Sequence, residues 1–292
     1  MSNETRLACA PISWGVIEIP DWGYQMEPDA VLREAAELGV KATEAGPDGF
    51  LPDDANEVSG KLKSYGLSLI GGFVPVVLHD RDVRDEQLAV VERRAEFFAT
   101  AGGTMLVLAA ATESASYEEV VEMEEGQWSE LFDNLKRAEE ICARHGLAAT
   151  MHSHYGTVIE TDEQLWRFLE GCDTGLCLDT GHLIIGGSDP VEVARQAGER
   201  VNHVHLKDVD LALAQRMANR ELSFKEACMK EAFRPLGEGE ADAGRVIEHL
   251  ESSGYEGWYV LEQDCLIPEN PAAGGGPIND VRKSLEFLRA RL

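Results

Sequence analysis

The sequence has none of the cysteine pairs that a zinc knuckle or a disulfide framework would use. Its six cysteines (Cys9, Cys142, Cys172, Cys177, Cys228, Cys265) are scattered, with no CxxC. They read as reduced thiols of a cytosolic protein, several of them buried as small hydrophobes. Basic residues are scarce: 26 Lys and Arg face 53 Asp and Glu, for a formal charge of −27. A chain this acidic lacks the basic footprint that nucleic acid or an anionic membrane demands; it reads instead as a well-solvated acidic surface. No segment approaches the ~18 consecutive apolar residues of a membrane span. The start, Met1-Ser-Asn-Glu-Thr-Arg6, lacks the basic-then-apolar pattern of a signal peptide. A cytoplasmic location is therefore expected. Also missing is a glycine-rich phosphate loop after the first apolar run. Ser13-Trp14-Gly15-Val16 is no such loop, and Gly71-Gly72 is too weak an imitation.

Short apolar runs alternate with helix-period segments from end to end. Strands are predicted at 7–14, 41–44, 67–75, 104–109, 147–151, 176–179, 201–206 and 257–262. Amphipathic helices are predicted at 28–38, 53–65, 85–100, 128–145, 161–170, from 189, near 224–232, and at 243–252 and 278–292. A repeated phrase separates them: Leu38-Gly39-Val40, Tyr65-Gly66-Leu67, Ala101-Gly102-Gly103, His145-Gly146-Leu147 and Ser253-Gly254-Tyr255 each put a glycine helix stop before the next strand. Eight such units imply a single-domain (β/α)8 TIM barrel over residues 1–292, with a longer excursion after strand seven at about 209–239. An open doubly wound sheet would need the missing phosphate loop.

The strand ends carry the chemistry. Leu176-Cys-Leu-Asp179 is followed by a turn expected at Gly181 and then by His182; Met151 leads into His152-Ser-His154. Val201-Asn202 leads into His203-Val-His-Leu-Lys-Asp208, and Tyr259-Val-Leu261 into Glu262-Gln-Asp264. In a barrel these ends converge on one face. His152, Asp179, His205 and Glu262 are therefore predicted as a mixed N/O metal set, with Mn²⁺ or Co²⁺ foremost and Zn²⁺, Fe²⁺ or Mg²⁺ as further fits. No cysteine is expected in position. His203 is expected to face away from His205, in a supporting or packing role. Trp14 is either a pocket wall or a core aromatic. Glu44 either binds a polyol or caps its loop. Lys207 is either an acid–base group or a surface lysine. Asp179 alone would read as a turn cap, and a lone strand-end His is usually a satisfied hydrogen-bonding residue; four such ends together favour a metal.

These phrases carry a resemblance. His152-Ser-His-Tyr-Gly-Thr-Val-Ile-Glu-Thr161, Leu178-Asp-Thr-Gly-His182, His203-Val-His-Leu-Lys-Asp208, Pro235-Leu-Gly-Glu-Gly239 and Gly257-Trp-Tyr-Val-Leu-Glu-Gln-Asp264, with Ile12-Ser-Trp-Gly15 and Thr43-Glu-Ala-Gly46, span most of the chain. The chain resembles the sugar isomerase/epimerase and endonuclease IV-like barrel superfamily. Within it, the chain is similar to the inosose dehydratase branch of inositol catabolism. The wider superfamily places a glutamate where His152 stands, and an imidazole there leaves a less symmetric site, suited to taking a proton on one side and expelling hydroxide on the other. The resemblance implies a metal-dependent dehydratase of a keto-cyclitol such as 2-keto-myo-inositol. Glu262 or Lys207 would be the base and His154 or His182 the acid, with Trp14, Glu44 and Asp264 binding substrate. A keto-sugar isomerase or epimerase on the same metal is the alternative, and a polyol-binding barrel without turnover stands behind both. A nuclease is disfavoured by the charge. The loops at 111–125 and 272–277 are expected lids. Homo-oligomerisation through the carboxyl-end loops is left open, with the excursion either an arm or packed on its own barrel.

Overall fold

A computed structural model describes residues 6–112, 117–272 and 274–292; the expected lids at 111–125 and 272–277 lie partly outside them. Parallel strands β1 (Leu7–Cys9), β2 (Ala42–Thr43), β3 (Ser68–Leu69), β4 (Gly71–Val76), β5 (Met105–Ala110), β6 (Ala148–His152), β7 (Gly175–Asp179) and β8 (Val201–Leu206) are followed by a small antiparallel pair, β9 (Asp208–Val209) with β10 (Phe233–Arg234). Last comes β11 (Tyr259–Leu261). The large sheet runs β3-β2-β1-β11-β8-β7-β6-β5-β4.

Its two ends are one predicted strand broken at Ile70. β3 pairs with β2, β4 pairs with β5, and the joint is stitched on both sides. Ala45 N donates to Gly71 O at 2.8 Å, and Thr104 N donates to Ile70 O at 2.7 Å. The break closes the barrel: eight strand positions, the third in two pieces. Gly71 is required there, because an added Cβ would lie 1.7 Å from Met105 O. Backbone cannot yield as a flexible side chain can, so Gly71→Ala should cost ~3 kcal/mol or more, the top of the range for an overpacked core. Chemical denaturation measures this, and a loss under ~1 kcal/mol would mean that the joint is plastic.

The outer helices form where the apolar spacing predicts them: α1 (Pro28–Glu37), α2 (Ala55–Ser64), α3 (Arg84–Ala101), α4 (Glu125–Arg144), α5 (Asp162–Gly171), α7 (Pro190–Ala197), α10 (Ala243–Ser253) and α11 (Pro277–Arg289). Each buries one stripe against the barrel, as α3 does with Val91, Ala95 and Phe98 and α4 with Leu131, Leu135, Ala138 and Ile141. Thr161 and Gln164 form a capping box at the start of α5.

Three local expectations are corrected. Strand one stops at Cys9, and Pro11, with its fixed φ, opens a 3-10 turn over Pro11–Trp14. The turn expected at Gly181 is a short helix, α6 (Thr180–Ile185), because Asp179 caps it. The excursion holds two helices, α8 (Leu211–Ala218) as well as α9 (Phe224–Met229). Its apolar residues Met217, Leu222, Phe224 and Phe233 are buried within the chain itself, while Leu211 is half-exposed. The excursion is anchored by Asp208, whose carboxylate accepts from the N–H groups of Val209 (3.0 Å), Gly237 (2.7 Å), Gly239 (3.1 Å) and Ala241 (2.9 Å). That explains the glycines of the Pro235–Gly239 phrase: a Cβ on Gly239 would meet Asp208 Oδ1 at 2.5 Å. No helix among the described residues is long and apolar enough to cross a membrane.

Candidate metal centre and its cavity

Asp179, at the end of β7, splits its two oxygens between fold and site. Oδ1 accepts from Gly181 N and His182 N, both at 2.9 Å, which caps α6. Oδ2 turns into the barrel, 3.3 Å from His152 Nε2, 3.7 Å from His205 Nδ1 and 3.3 Å from Lys207 Nζ. Glu262 follows β11 and brings Oε2 into close contact with His205 Nδ1. Asp179, His205 and Glu262 thus offer ligand atoms to one point, and His152 adjoins it through Asp179.

Two expectations about neighbours are corrected. His203 does not face away from His205: side chains alternate along a strand, so residues two apart share a face. Both Nε2 atoms contact Glu44 Oε1, at 2.8 Å for His203 and 2.9 Å for His205, and the ring centroids are 5.1 Å apart. By the same periodicity Cys177, two residues before Asp179, lies beside His152 and His205. A cysteine is therefore in position after all. Burial pushes its thiol up to about 11, which keeps it protonated, and a four-thiolate zinc set is still not formed there.

Lys207 is no surface lysine. It is fully buried, with Nζ 2.9 Å from Asp264 Oδ2, 3.6 Å from Glu262 Oε1 and 2.9 Å from His182 Nε2. Its stem crosses Gly181 so closely that a Cβ there would meet Lys207 Cγ at 2.6 Å. Burial opposes the ammonium charge, but Asp179, Asp264 and Glu262 outweigh it and hold Lys207 charged. Glu262 stays ionised for the converse reason. Burial would raise it, yet His205 and Lys207 bring it down to about 2. Asp264 goes the other way: burial pushes its carboxyl up to about 7, more than Lys207 takes back. His205 is disfavoured as a cation by burial, but the Glu262 and Glu44 carboxylates reverse this. His154 and His182 are both driven neutral by burial, His154 to about 3. Their rings lie 3.8 Å apart, and His154 Nδ1 donates to Tyr155 O at 2.7 Å.

These groups floor a cavity of about 250 Å³. Glu44, His154, Glu262 and Asp264 line its polar side, and Ile12, Phe73 and Phe224 its apolar side. Trp14 does not line it. It is a core aromatic, buried with Nε1 donating to Glu34 Oε2 at 2.8 Å, which ties the 3-10 turn to α1. His182 is buried behind Lys207. The sequence reading missed the rim residues Glu18, Tyr117 and Arg94, which come from loops and a helix rather than from strand ends. Phe224 had been visible only as one apolar residue of the excursion. None of these has a periodicity or motif that marks it.

The donor set fits a divalent cation. His205 Nδ1 and Glu262 Oε2 are buried without a hydrogen-bond partner, although they crowd each other. Asp179, Glu262 and Asp264 put three carboxylates around the ammonium of Lys207. Ligand atoms each ~2.1 Å from a shared ion lie roughly 3.0–3.5 Å apart, which matches the His152–Asp179 spacing. Imidazole with carboxylate suits Mn²⁺, Fe²⁺, Co²⁺ or Zn²⁺.

Comparison with known proteins identifies the family. The model of the xylose isomerase-like TIM barrel family matches residues 32–291. An inosose dehydratase of Geobacillus kaustophilus is 32% identical, over 90% of this chain and 88% of its own. Among solved structures, L-ribulose 3-epimerase superposes with a TM-score of 0.73 at 16% identity, covering 99% of this chain and 94% of its own. D-psicose 3-epimerase from Clostridium cellulolyticum does so with a TM-score of 0.72 at 17% identity, covering 98% and 99%. At such identities the two epimerases speak for the fold alone. The chain is an inosose dehydratase-like member of the xylose isomerase-like TIM barrel family.

Proposed function

We propose that the protein is a metal-dependent dehydratase that removes water from a keto-cyclitol of the 2-keto-myo-inositol type. The observation that carries this reading is the unequal environment of the acid–base groups around one ligand cluster. Glu262 is ionised, while Asp264, two residues on and bonded to Lys207, is poised to hold a proton. The relationship to inosose dehydratases supports it. So does the cavity, whose ~250 Å³ suits one six-membered ring.

His152, Asp179, His205 and Glu262 would hold the cation, with Mn²⁺ or Co²⁺ the first to test. When bound, the cation supplies Lewis-acid polarisation of the substrate carbonyl. The chain's residues do the rest. Glu262 turns Oε2 toward the ligand cluster and Oε1 toward Lys207, so one carboxylate can ligate and also take the α-proton. Cleavage of the β C–O bond releases hydroxide, which takes a proton from the Asp264–Lys207 pair and leaves as water. Lys207, held as an ammonium, belongs on this acid side and not with the base. His154, whose Nδ1–H is committed to Tyr155 O, presents Nε2 as an acceptor for a substrate hydroxyl. His182 steadies Lys207 from behind.

Incubation with inosose and Mn²⁺ or Co²⁺ should produce a near-ultraviolet chromophore with loss of one water by mass. An isomeric polyol without a chromophore would instead establish the isomerase or epimerase reading. Thermal stabilisation by inosose with no turnover under any of these metals would leave a binding barrel.

A further inference from the structure

The geometry points to Glu44 as the positioning residue that makes His205 ligate through Nδ1, an inference that rests on the metal reading above. Glu44 follows β2, and β1 and β11 separate β2 from β8 in the barrel. Its carboxylate nevertheless reaches across the mouth to β8, where Oε1 takes both His203 Nε2 and His205 Nε2. A carboxylate only accepts, so both nitrogens must carry their protons toward it. For His205 this decides the tautomer. With one proton held on Nε2, Nδ1 is the nitrogen left to shed its proton and offer a lone pair to a cation, and it is the atom that faces Asp179 Oδ2 at 3.7 Å and touches Glu262 Oε2. His203, on the same strand face, spends its Nε2–H on the same oxygen. It thereby fixes the carboxylate and leaves the cation to His205. The carboxylate–imidazole–metal relay is a general device for orienting a ligand and raising its basicity. Here both parts of it are buried, with Glu44 3% exposed and His205 1%.

The same three residues could be imagined as a second cation site, since Glu44, His203 and His205 offer atoms within 4.8 Å of one another. The separations of 2.8 and 2.9 Å are those of hydrogen bonds. The relay reading therefore predicts one cation per chain.

Calorimetric titration with Mn²⁺ separates the possibilities. Wild type should bind one equivalent. Glu44→Ala, which removes the acceptor, should bind it ~10–100-fold more weakly. Glu44→Gln, whose amide oxygen can still accept from both rings, should restore affinity to within a few-fold of wild type. Two equivalents in wild type, or Glu44→Gln as weak as Glu44→Ala, would make Glu44 a ligand and overturn the relay. Unchanged affinity in Glu44→Ala would overturn it too. No binding by wild type would sink the metal reading itself, and the relay with it. Should Glu44→Ala fail to fold, long-range ¹H–¹⁵N correlation on histidine-labelled, Zn²⁺-loaded wild type decides. Metal on His205 Nδ1 with a proton on Nε2 is expected, and the reverse assignment refutes the proposal.

Discussion

Asp179→Asn should strip the protein of its divalent metal and lower turnover by ~10³-fold or more, while the fold survives nearly intact. The two halves of this result come from the two oxygens. The Asn side-chain oxygen can stay where Oδ1 is, accepting from Gly181 N and His182 N, so the cap of α6 and its ~1 kcal/mol are retained. The amide nitrogen then replaces Oδ2. It presents N–H groups to the Lys207 ammonium and removes one negative charge from the cluster. Partners that merely orient a metal ligand are worth ~10–100-fold in affinity, and a charged ligand itself should be worth more. Metal analysis of the purified variant, its melting curve and the chromophore assay measure the effect. Full retention of metal in both Asp179→Asn and Glu262→Gln would place the site elsewhere.

Lys207→Met should produce the largest loss of stability. The ammonium is the hub of three buried carboxylates, Asp179, Glu262 and Asp264. Methionine fills the stem's path over Gly181 but leaves the three charges facing one another. Removing one partner of a buried ion pair costs ~3–5 kcal/mol. For a chain of this size that means a melting temperature lower by on the order of 10 °C, measured with chelator present. The loss should depend on pH. In wild type Glu262 is held below its ordinary value, so its contribution is present above the unfolded pKa and is lost as pH falls. In the variant the crowded carboxyls are raised above their unfolded values. Stability from such groups is present in acid and is lost as pH rises through the raised values. The deficit should therefore be small near pH 4 and grow toward pH 7. Co-melting with wild type at neutral pH would show that the cluster is not held by Lys207. A deficit constant with pH would exclude a carboxylate origin.

Much of the barrel was legible in the order of residues, for reasons that are local. Glycine stops, an apolar stripe every three to four residues and short apolar runs follow from backbone geometry within a few residues. The ligand candidates were legible too, because a barrel brings all its strand ends to one face whatever the details of its packing. The facing of His203 and the place of Cys177 were also recoverable, since the same two-residue period that puts His205 in the site puts them beside it. There the residues were informative and the expectation drawn from them was not. Trp14 and Gly181 differ in kind. A proline and a capping aspartate turned an expected strand end and an expected turn into short helices, and both signals were present but were outvoted by the apolar runs around them.

By itself the sequence determined the (β/α)8 frame and the donor types at four strand ends, since each depends on composition or on spacing along the chain. Only the tertiary structure decided that the third strand breaks at Ile70 to close the barrel. It alone decided that Lys207 is buried among three carboxylates, that Glu44 reaches two histidines from across the mouth, and that Tyr117 and Phe224 line the cavity. These are contacts between residues tens to hundreds of positions apart. Their energetics come from desolvation and from charges meeting through space, and neither has a period that a sequence can display.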